Sequence, residues 1–132
     1  ILAAVGVVAY SGYTAGAKKQ ATKSNHSAVA KYIAAELQKC NLGETTAMNG
    51  NLTCSGKNAA KVVTAGVAAL ADFKNPHDTS KKAVRGSTSN KNDADIGYTS
   101  LGSSGTTVTV RTCWETACAT KENRSQTPIE VE

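Results

Sequence analysis

The stretch ILAAVGVVAYSGYTAGA (residues 1–17) contains no charged residue, and KKQATKSNHSAVAKYIAAELQKCN (residues 18–41) follows it. No proline interrupts either stretch, and the first strong stop signals are Asn41 and Gly43. Glycine supplies the left-handed conformation that commonly ends a helix. The sequence therefore predicts one N-terminal helix of about forty residues, about 60 Å long. Because a compact domain of this size is narrower than that, we expect part of the helix to project.

The first ten residues are apolar on every side of a helix apart from Gly6. A helix of this kind needs an apolar surrounding, such as other helices or lipid. Ten residues rise only about 15 Å, half of a hydrocarbon core of about 30 Å, so we expect this stretch to be the second half of a longer segment. The sequence opens without Met, a basic leader or a cleavage site, and we expect a processed or partly observed product.

Residues 18–42 form an amphipathic continuation of that helix. The apolar residues Val29, Ile33, Leu37 and Cys40 recur at intervals of four, four and three, while the lysines are expected on the other faces. We therefore divide the chain into an apolar assembly or membrane segment (1–17), an amphipathic stem (18–42) and a globular head (43–132). On this division, a chain lacking residues 1–23 is expected to stay folded.

Two further segments lead from the stem to the sheet. A turn-rich stretch after Gly43 precedes a second helix, in which Ala59, Val63, Val67 and Leu70 share a face and which is expected to stop at Asn75 and Pro76. Residues 77–95 show neither helical nor strand periodicity, which indicates a long surface loop.

The C-terminal third changes to a period of two, which is typical of strands. Residues 107–112 alternate polar with apolar, and residues 96–101 are the expected partner across the turn 102–105, which predicts a hairpin. Residues 128–132 are a candidate edge strand, because Pro128 cannot donate to a central ladder. The fold class is therefore α+β, with a long N-terminal helix packed against a small head that holds a second helix and an antiparallel sheet.

Four cysteines, Cys40, Cys54, Cys113 and Cys118, form an even set in a chain of 132 residues. This is typical of a disulfide framework in an oxidising compartment. A four-thiolate zinc site is the alternative, but it usually brings paired C-x-x-C motifs, and none occurs here. Three connectivities exist, and we predict Cys40 with Cys54 and Cys113 with Cys118, because short loops close at the least entropic cost.

The chain has a net charge of +5. Its first forty residues carry a single acid, Glu36, and five basic residues, Lys18, Lys19, Lys23, Lys31 and Lys39, so the stem is basic. Such a balance can attract nucleic acid or anionic lipid. No lysine or arginine run interleaved with aromatic residues accompanies it, so a solvated surface is the favoured interpretation and DNA stays a weakly supported partner.

No catalytic motif is present, and the two histidines, His26 and His77, lack partners nearby in the sequence. We therefore expect neither an enzyme nor a cofactor. Asn90, Asn92, Asp93 and Asp95 cluster oxygen ligands that would suit calcium, but the twelve-residue calcium loop with its final Glu is missing. A solvated turn is favoured there, and calcium stays open. Three Asn-x-Ser/Thr triplets, which match the glycosylation pattern, begin at Asn25, Asn51 and Asn123, and their modification also stays open.

The block ILAAVGVVAYSGYTAGAKKQA (residues 1–21), the amphipathic continuation, the helical-to-β head and the late cysteine loop together resemble the type IV pilin family. That family's helix begins with a methylated Phe and a Glu, which have no counterpart in this sequence, and Val8 stands where the family usually has Pro before Ala9-Tyr10. The resemblance implies an assembly helix that contains Ile1, Leu2, Ala3, Ala4, Val5, Gly6, Val7, Val8, Ala9, Tyr10 and Tyr13.

The segment Cys113–Cys118 resembles the cysteine-bounded loop that lies on the filament surface in pilins. Its Trp114 is the only tryptophan of the chain. A tryptophan beside a disulfide has two interpretations, an exposed contact residue for a partner or a packing residue, and packing is the commoner. Both are kept as hypotheses.

The resemblance implies a structural subunit of a bacterial type IV pilus-like filament, serving adhesion, motility or DNA uptake. Its implied partners are further copies of itself in a helical polymer, the inner membrane before assembly, and a pilus assembly machinery. Its implied location is the cell surface. The alternatives are a pseudopilin of a type II secretion or competence machine, and a secreted basic adhesin or nucleic-acid-binding module.

Overall fold

The computed structural model describes residues 15–131, and its first element is the stem helix α1, Ala15–Asn41. These 27 residues rise about 40 Å. Past the helix end, Gly43 adopts φ 100°, its N–H donates to Cys40 O, and Glu44 N–H donates to Lys39 O. The left-handed glycine thus satisfies two carbonyls of the last turn, and the predicted helix end is confirmed.

The head follows with one helix and eight strands among the described residues. In chain order they are β1 (Thr46–Ala47), β2 (Leu52–Thr53), α2 (Ala59–Ala69), β3 (Lys74–Asn75), β4 (Asp78–Lys82), β5 (Val84–Gly86), β6 (Thr99–Ser104), β7 (Thr107–Cys113) and β8 (Arg124–Glu130). Single 3-10 turns occupy Asp93–Asp95 and Lys121–Asn123. The expected α+β class is confirmed.

The main sheet has the strand order β5-β6-β7-β8, and α1 and α2 pack against one of its faces. The pairs β6-β7 and β7-β8 are antiparallel, whereas the edge strand β5 runs parallel to β6. The hairpins β1-β2 and β3-β4 form two small separate sheets. The expectation of an antiparallel sheet therefore holds except at β5. Because β5 and β6 are parallel, the connection 87–98 must cross from the end of the sheet where β5 stops to the end where β5 starts.

The β6-β7 hairpin turns later than predicted. Gly102 pairs with Thr109, and Ser104 pairs with Thr107, so the expected turn at 102–105 is wrong and only Gly105 and Thr106 form the turn. Gly105 has φ 59°, as a two-residue hairpin turn requires. Gly102, Ser103 and Ser104 are residue types that favour turns, so the sequence placed the end of β6 too early.

The last strand, β8, begins at Arg124, four residues before the expected start at Pro128, and it forms one edge of the main sheet. Val131 N–H donates to Thr106 O, so by the alternation of an antiparallel pair Pro128 lies at a position that turns its nitrogen away from β7. Proline is tolerated there because no ladder bond is lost.

The polar stretch 77–95 is not the surface loop that was expected. It contains β4 and β5, and Ala83, Val84, Asn90 and Asp95 are buried. The five residues of β4 are all exposed, so this strand carries no alternation from which it could be predicted. Burial of β5 depends on its pairing with β6, a contact that the local sequence does not encode.

A single apolar core lies between the two helices and the sheet. Its largest fully buried side chains include Val29 and Ile33 from α1, Val62 from α2, and Leu101 and Val110 from the sheet. Other residues in the described core are Leu37, Met48, Leu52, Val84 and Val108.

The buried face of α2 differs from the predicted one. It consists of Ala59, Val62, Ala65 and Gly66, whereas Val63 and Val67 are only partly buried, and the helix ends at Ala69 and not near Asn75. A Cβ on Gly66 would lie 3.1 Å from Leu101 Cδ1. The glycine therefore allows α2 to approach the sheet closely on the face that carries Val62, and Val63 and Val67 lie at the side of this contact.

Within residues 15–131, neither helix combines the length and the apolar composition that a membrane crossing needs.

Candidate functional site

The predicted assembly residues, from Ile1 to Tyr13, lie outside the described residues. The described part of the candidate site is the surface on which the N-terminal half of α1 meets the disulfide loop, defined here as Cys113–Cys118. Both predicted bridges are present: Cys40 with Cys54, and Cys113 with Cys118. The predicted connectivity is confirmed, and the described cysteines include no free thiol for zinc.

The disulfide loop is held by polar side chains from three directions. Cys118 N–H donates to Asp93 Oδ1 at 2.9 Å. Asn123 Nδ2 donates to Thr116 O at 2.9 Å and to Ala117 O at 3.2 Å. Arg124 Nη1 donates to Cys118 O at 3.1 Å. The loop carbonyls are thus paired within the head, and its shape is fixed independently of α1.

Two lysines of α1 reach this loop. Lys19 Nζ lies 2.8 Å from Glu115 Oε2, and Lys23 Nζ lies 4.7 Å from the centre of the Trp114 ring. The two partners of the ion pair are about one-third exposed, so it contributes about 0.2–1 kcal/mol, and the cation–π contact about 0.5–1 kcal/mol. The expectation that the stem lysines avoid the head is wrong for these two residues, because the loop comes from a strand distant in sequence.

Trp114 is half-buried, and its surroundings favour packing over an exposed contact. Its indole Nε1–H donates to Glu122 O at 3.3 Å, and its backbone N–H donates to Asn123 O. Its carbonyl oxygen lies 3.0 Å from His77 Nε2. With Lys23 over the ring, the side chain joins α1 to the loop, and the remaining exposed part is what a partner could contact.

His26 is the central polar contact between α1 and the sheet. Its Nδ1 lies 2.6 Å from Thr112 Oγ1 on β7, and its Nε2 lies 2.8 Å from Thr127 Oγ1 on β8. A hydroxyl can donate or accept, so both nitrogens of a neutral ring are paired. Burial lowers the pKa of His26 below its ordinary value of 6.5, because the charged form is desolvated.

His77 behaves in the same way at the turn between β3 and β4. Burial lowers its pKa, the bond to the Trp114 carbonyl opposes that shift, and nearby Lys18 adds to it. The partners of His26 and His77 could not be identified from nearby sequence, because Thr112 and Trp114 are far away in the chain. Both histidines are structural contacts that sequence reasoning missed.

Acidification is expected to destabilise the head through these two histidines. A pKa that is lower in the folded than in the unfolded state means that the unfolded chain binds more protons, so stability is complete above about pH 6.5 and falls as the pH drops through the folded values. Urea unfolding between pH 7.5 and pH 5 would measure this fall.

The control is the double variant His26→Gln/His77→Gln, whose stability should change little over the same range. The buried carboxylates Asp95 and Glu36 do not interfere, because their pKa values are lowered and they lose stabilisation only at more acidic pH. A wild-type protein with constant stability from pH 7.5 to pH 5 would contradict the prediction.

The oxygen-rich segment from Asn90 to Asp95 is buried at its two ends and exposed between them. Asp95 accepts bonds from Arg85, Ser89 and the Asn92 backbone at 2.6, 2.6 and 3.0 Å. Burial alone would raise the pKa of Asp95, but these donors outweigh it and hold that pKa below the usual range. Asn90 is also buried and donates to Thr112 O and Ser125 O.

Asp95 uses its carboxylate oxygens and Asn90 its amide nitrogen for bonds within the protein, so the favoured solvated interpretation is wrong at these two residues. The burial arises because Arg85, which also lies 4.0 Å from the centre of the Tyr98 ring, draws Asp95 onto the sheet. Residues 15–131 contain no group of three side chains suited to a metal ion.

Glu36 attaches the β1-β2 hairpin to the stem. Its Oε1 accepts the Met48 N–H at 2.5 Å, and its Oε2 pairs with Lys39 Nζ at 2.8 Å. Burial would raise the pKa of Glu36, but the bonds from Lys39 and Met48 lower it by more. Together with the Cys40–Cys54 bridge, this contact fixes the hairpin to the C-terminal end of α1.

No protein-family model, curated protein or solved structure matches this chain.

Proposed function

We propose that the protein is a structural subunit of a bacterial type IV pilus-like filament on the cell surface, assembled through its N-terminal segment. The observation that carries the proposal is where α1 meets its own head. Among the described residues, the buried face of α1 begins at Ala21 and runs through Val29 and Ile33 to Leu37. The head thus packs on the charged part of the stem, and we assign residues 1–17 to another partner.

The composition of residues 1–17 supports further copies of the same segment as that partner. Where helices pack together in lipid or in a filament core, small residues allow close approach of their backbones. The segment supplies these residues at Ala3, Ala4, Gly6, Ala9, Gly12, Ala15 and Gly16. The lysines at 18 and 19 mark the point at which the polar, head-bound part begins.

The proposal is tested by Val5→Asp, which is expected to block fibre formation while the head melts as in the wild type. An unpaired charge inside a helix bundle costs several kcal/mol, whereas the described apolar core includes no residue before Ala21. Fibre yield in sheared surface fractions, counted by electron microscopy, is the measurement. Leu42→Asp is the matched control, since Leu42 is 83% exposed and should tolerate the charge.

Normal fibres from Val5→Asp would refute assembly through the N-terminal segment. A protein that forms only short fibres and is scarce in the sheared fraction would instead support the pseudopilin alternative. Monodisperse wild-type particles would favour the secreted adhesin or nucleic-acid-binding alternative.

The contacts of α1 change the expectation for a chain that lacks residues 1–23. Ala21 and Thr22 are buried, and Lys19 and Lys23 contact the disulfide loop, so removing residues 1–23 deletes part of the folded unit. We expect a chain that starts at Ala15 to be monomeric and fully stable. A chain that starts at Ser24 should lose about 1–3 kcal/mol. Equal urea midpoints for the two chains would contradict this expectation.

A further inference from the structure

The three Asn-x-Ser/Thr triplets differ sharply in their surroundings. Asn25 lies inside α1, is 5% exposed, and points its Nδ2 at Lys74 O across a distance of 3.4 Å. A modifying enzyme cannot reach this amide in the folded head, and a bulky group attached there would push β3 away from the stem.

Asn123 is also occupied by structural contacts. It is half-buried in the 3-10 turn that precedes β8, and its amide nitrogen donates to both Thr116 O and Ala117 O. An N-linked substituent replaces one of the two N–H groups, so it would remove one of these bonds. The disulfide loop would then lose part of its support.

Asn51 is the triplet that the fold presents to solvent. It directly precedes β2, after a turn in which Met48, Asn49 and Gly50 all have positive φ. Its side chain is exposed, and its Nδ2 donates to Met48 O at 2.9 Å. An amide nitrogen has two N–H groups, so this bond can persist when the other is substituted. Thr53, which completes the triplet, is exposed as well.

The surface beside Asn51 also has room for sugars. An open depression of about 520 Å³ lies next to it, a size within the range of small-molecule sites. Its lining is rich in groups that can bond sugar hydroxyls, including Thr53, Ser55, Asn58, Lys61 and Thr64. A glycan on Asn51 could extend over this surface without displacing any part of the core.

We propose that Asn51 carries an N-linked oligosaccharide. In the transfer, the Asn51 amide nitrogen bonds to the anomeric carbon of a sugar borne on a lipid diphosphate. The bond between that carbon and the phosphate oxygen breaks, the lipid diphosphate leaves with the electron pair, and the amide proton passes to a carboxylate of the transferase. The two disulfides are typical of a chain that folds in an oxidising compartment, where exported proteins receive such groups.

The position of Asn51 makes this modification compatible with the proposed filament without depending on it. The Cys40–Cys54 bridge holds the β1-β2 hairpin at the C-terminal end of α1. The helix from Ala17 to Cys40 rises about 35 Å, so the glycan would lie at the opposite end of this helix from Ala17.

The test uses the full chain from its native source, mapped by mass spectrometry before and after peptide N-glycosidase treatment in heavy-oxygen water. We expect heavy-oxygen aspartate at position 51 and unlabelled asparagine at positions 25 and 123. Unmodified Asn51, or label at either of the other two positions, would overturn the proposal. Neither result depends on whether the protein forms fibres.

Variants expressed in the same source sharpen the test. Thr53→Val removes the triplet at an exposed position and should return the intact mass to that of the bare chain. Ser27→Ala destroys the Asn25 triplet, also at an exposed position, and should leave the mass unchanged apart from the substitution. A Thr53→Val protein that keeps the extra mass would place the modification elsewhere and refute the assignment.

Discussion

Replacing Ile33 with aspartate is expected to unfold the head. Ile33 is fully buried in the core, on the face of α1 that packs beside Gly66 of α2. Deleting a large aliphatic side chain there costs about 2–5 kcal/mol, and an unpaired buried charge adds several more. Domains of this size are stable by about 5–15 kcal/mol, so most of that reserve would be lost.

Circular dichroism during thermal unfolding measures the effect, and Ala35→Asp is the matched control. Ala35 lies two residues further along the same helix and is exposed, so its substitution costs little beyond helix propensity, about 0.5 kcal/mol. Ile33→Val should cost about 0.5–1.5 kcal/mol and stay folded. If Ile33→Asp melted together with Ala35→Asp, the description of the core at α1 would be wrong.

Removing the Cys40–Cys54 bridge by double substitution with serine is expected to cost about 3 kcal/mol. Its cysteines are 14 residues apart, and the loss of loop-closure entropy in the unfolded chain accounts for that value. The Cys113–Cys118 bridge joins residues 5 apart, so the same reasoning gives about 2 kcal/mol for its removal. Urea unfolding of the two double variants tests this order.

The two variants should also differ in the region of the native state where amide hydrogen exchange becomes faster. Without Cys113–Cys118, amide hydrogen exchange should rise in the part of α1 that contains Lys19 and Lys23, because both lysines contact the disulfide loop. Without Cys40–Cys54, it should rise in the β1-β2 hairpin. Uniform exchange changes in both variants would show that neither bridge acts locally.

Features encoded by neighbouring residues were predictable from the sequence. Gly43 ends α1 because a left-handed residue is needed there, and short cysteine loops gave the correct pairing. The alternation along residues 107–112 identified β7 as a strand. In each case the energy that decides the structure arises within about fifteen residues of chain.

Features that depend on distant partners were not predictable. His26 contacts hydroxyls 86 and 101 residues away, and its own neighbours in the sequence gave no sign of burial. The sequence indicates a solvent-exposed acid at Asp95. In the structure, Arg85 lies on β5, which pairs parallel with β6, and it forms an ion pair with Asp95. All five residues of β4 are polar and exposed, so the β3-β4 hairpin shows no alternation of polar and apolar residues in the sequence. The assembly residues from Ile1 to Tyr13 stay a prediction.

Pro128 has a consequence for the behaviour of crowded molecules. An open strand edge normally offers a row of donors and acceptors to any neighbouring chain, and this is the usual origin of aggregation between β-proteins. On β8 the outward row has a gap, because the proline nitrogen carries no hydrogen. A second chain that paired with this edge would therefore lose one ladder hydrogen bond at Pro128, which disfavours edge-to-edge association between molecules at high concentration.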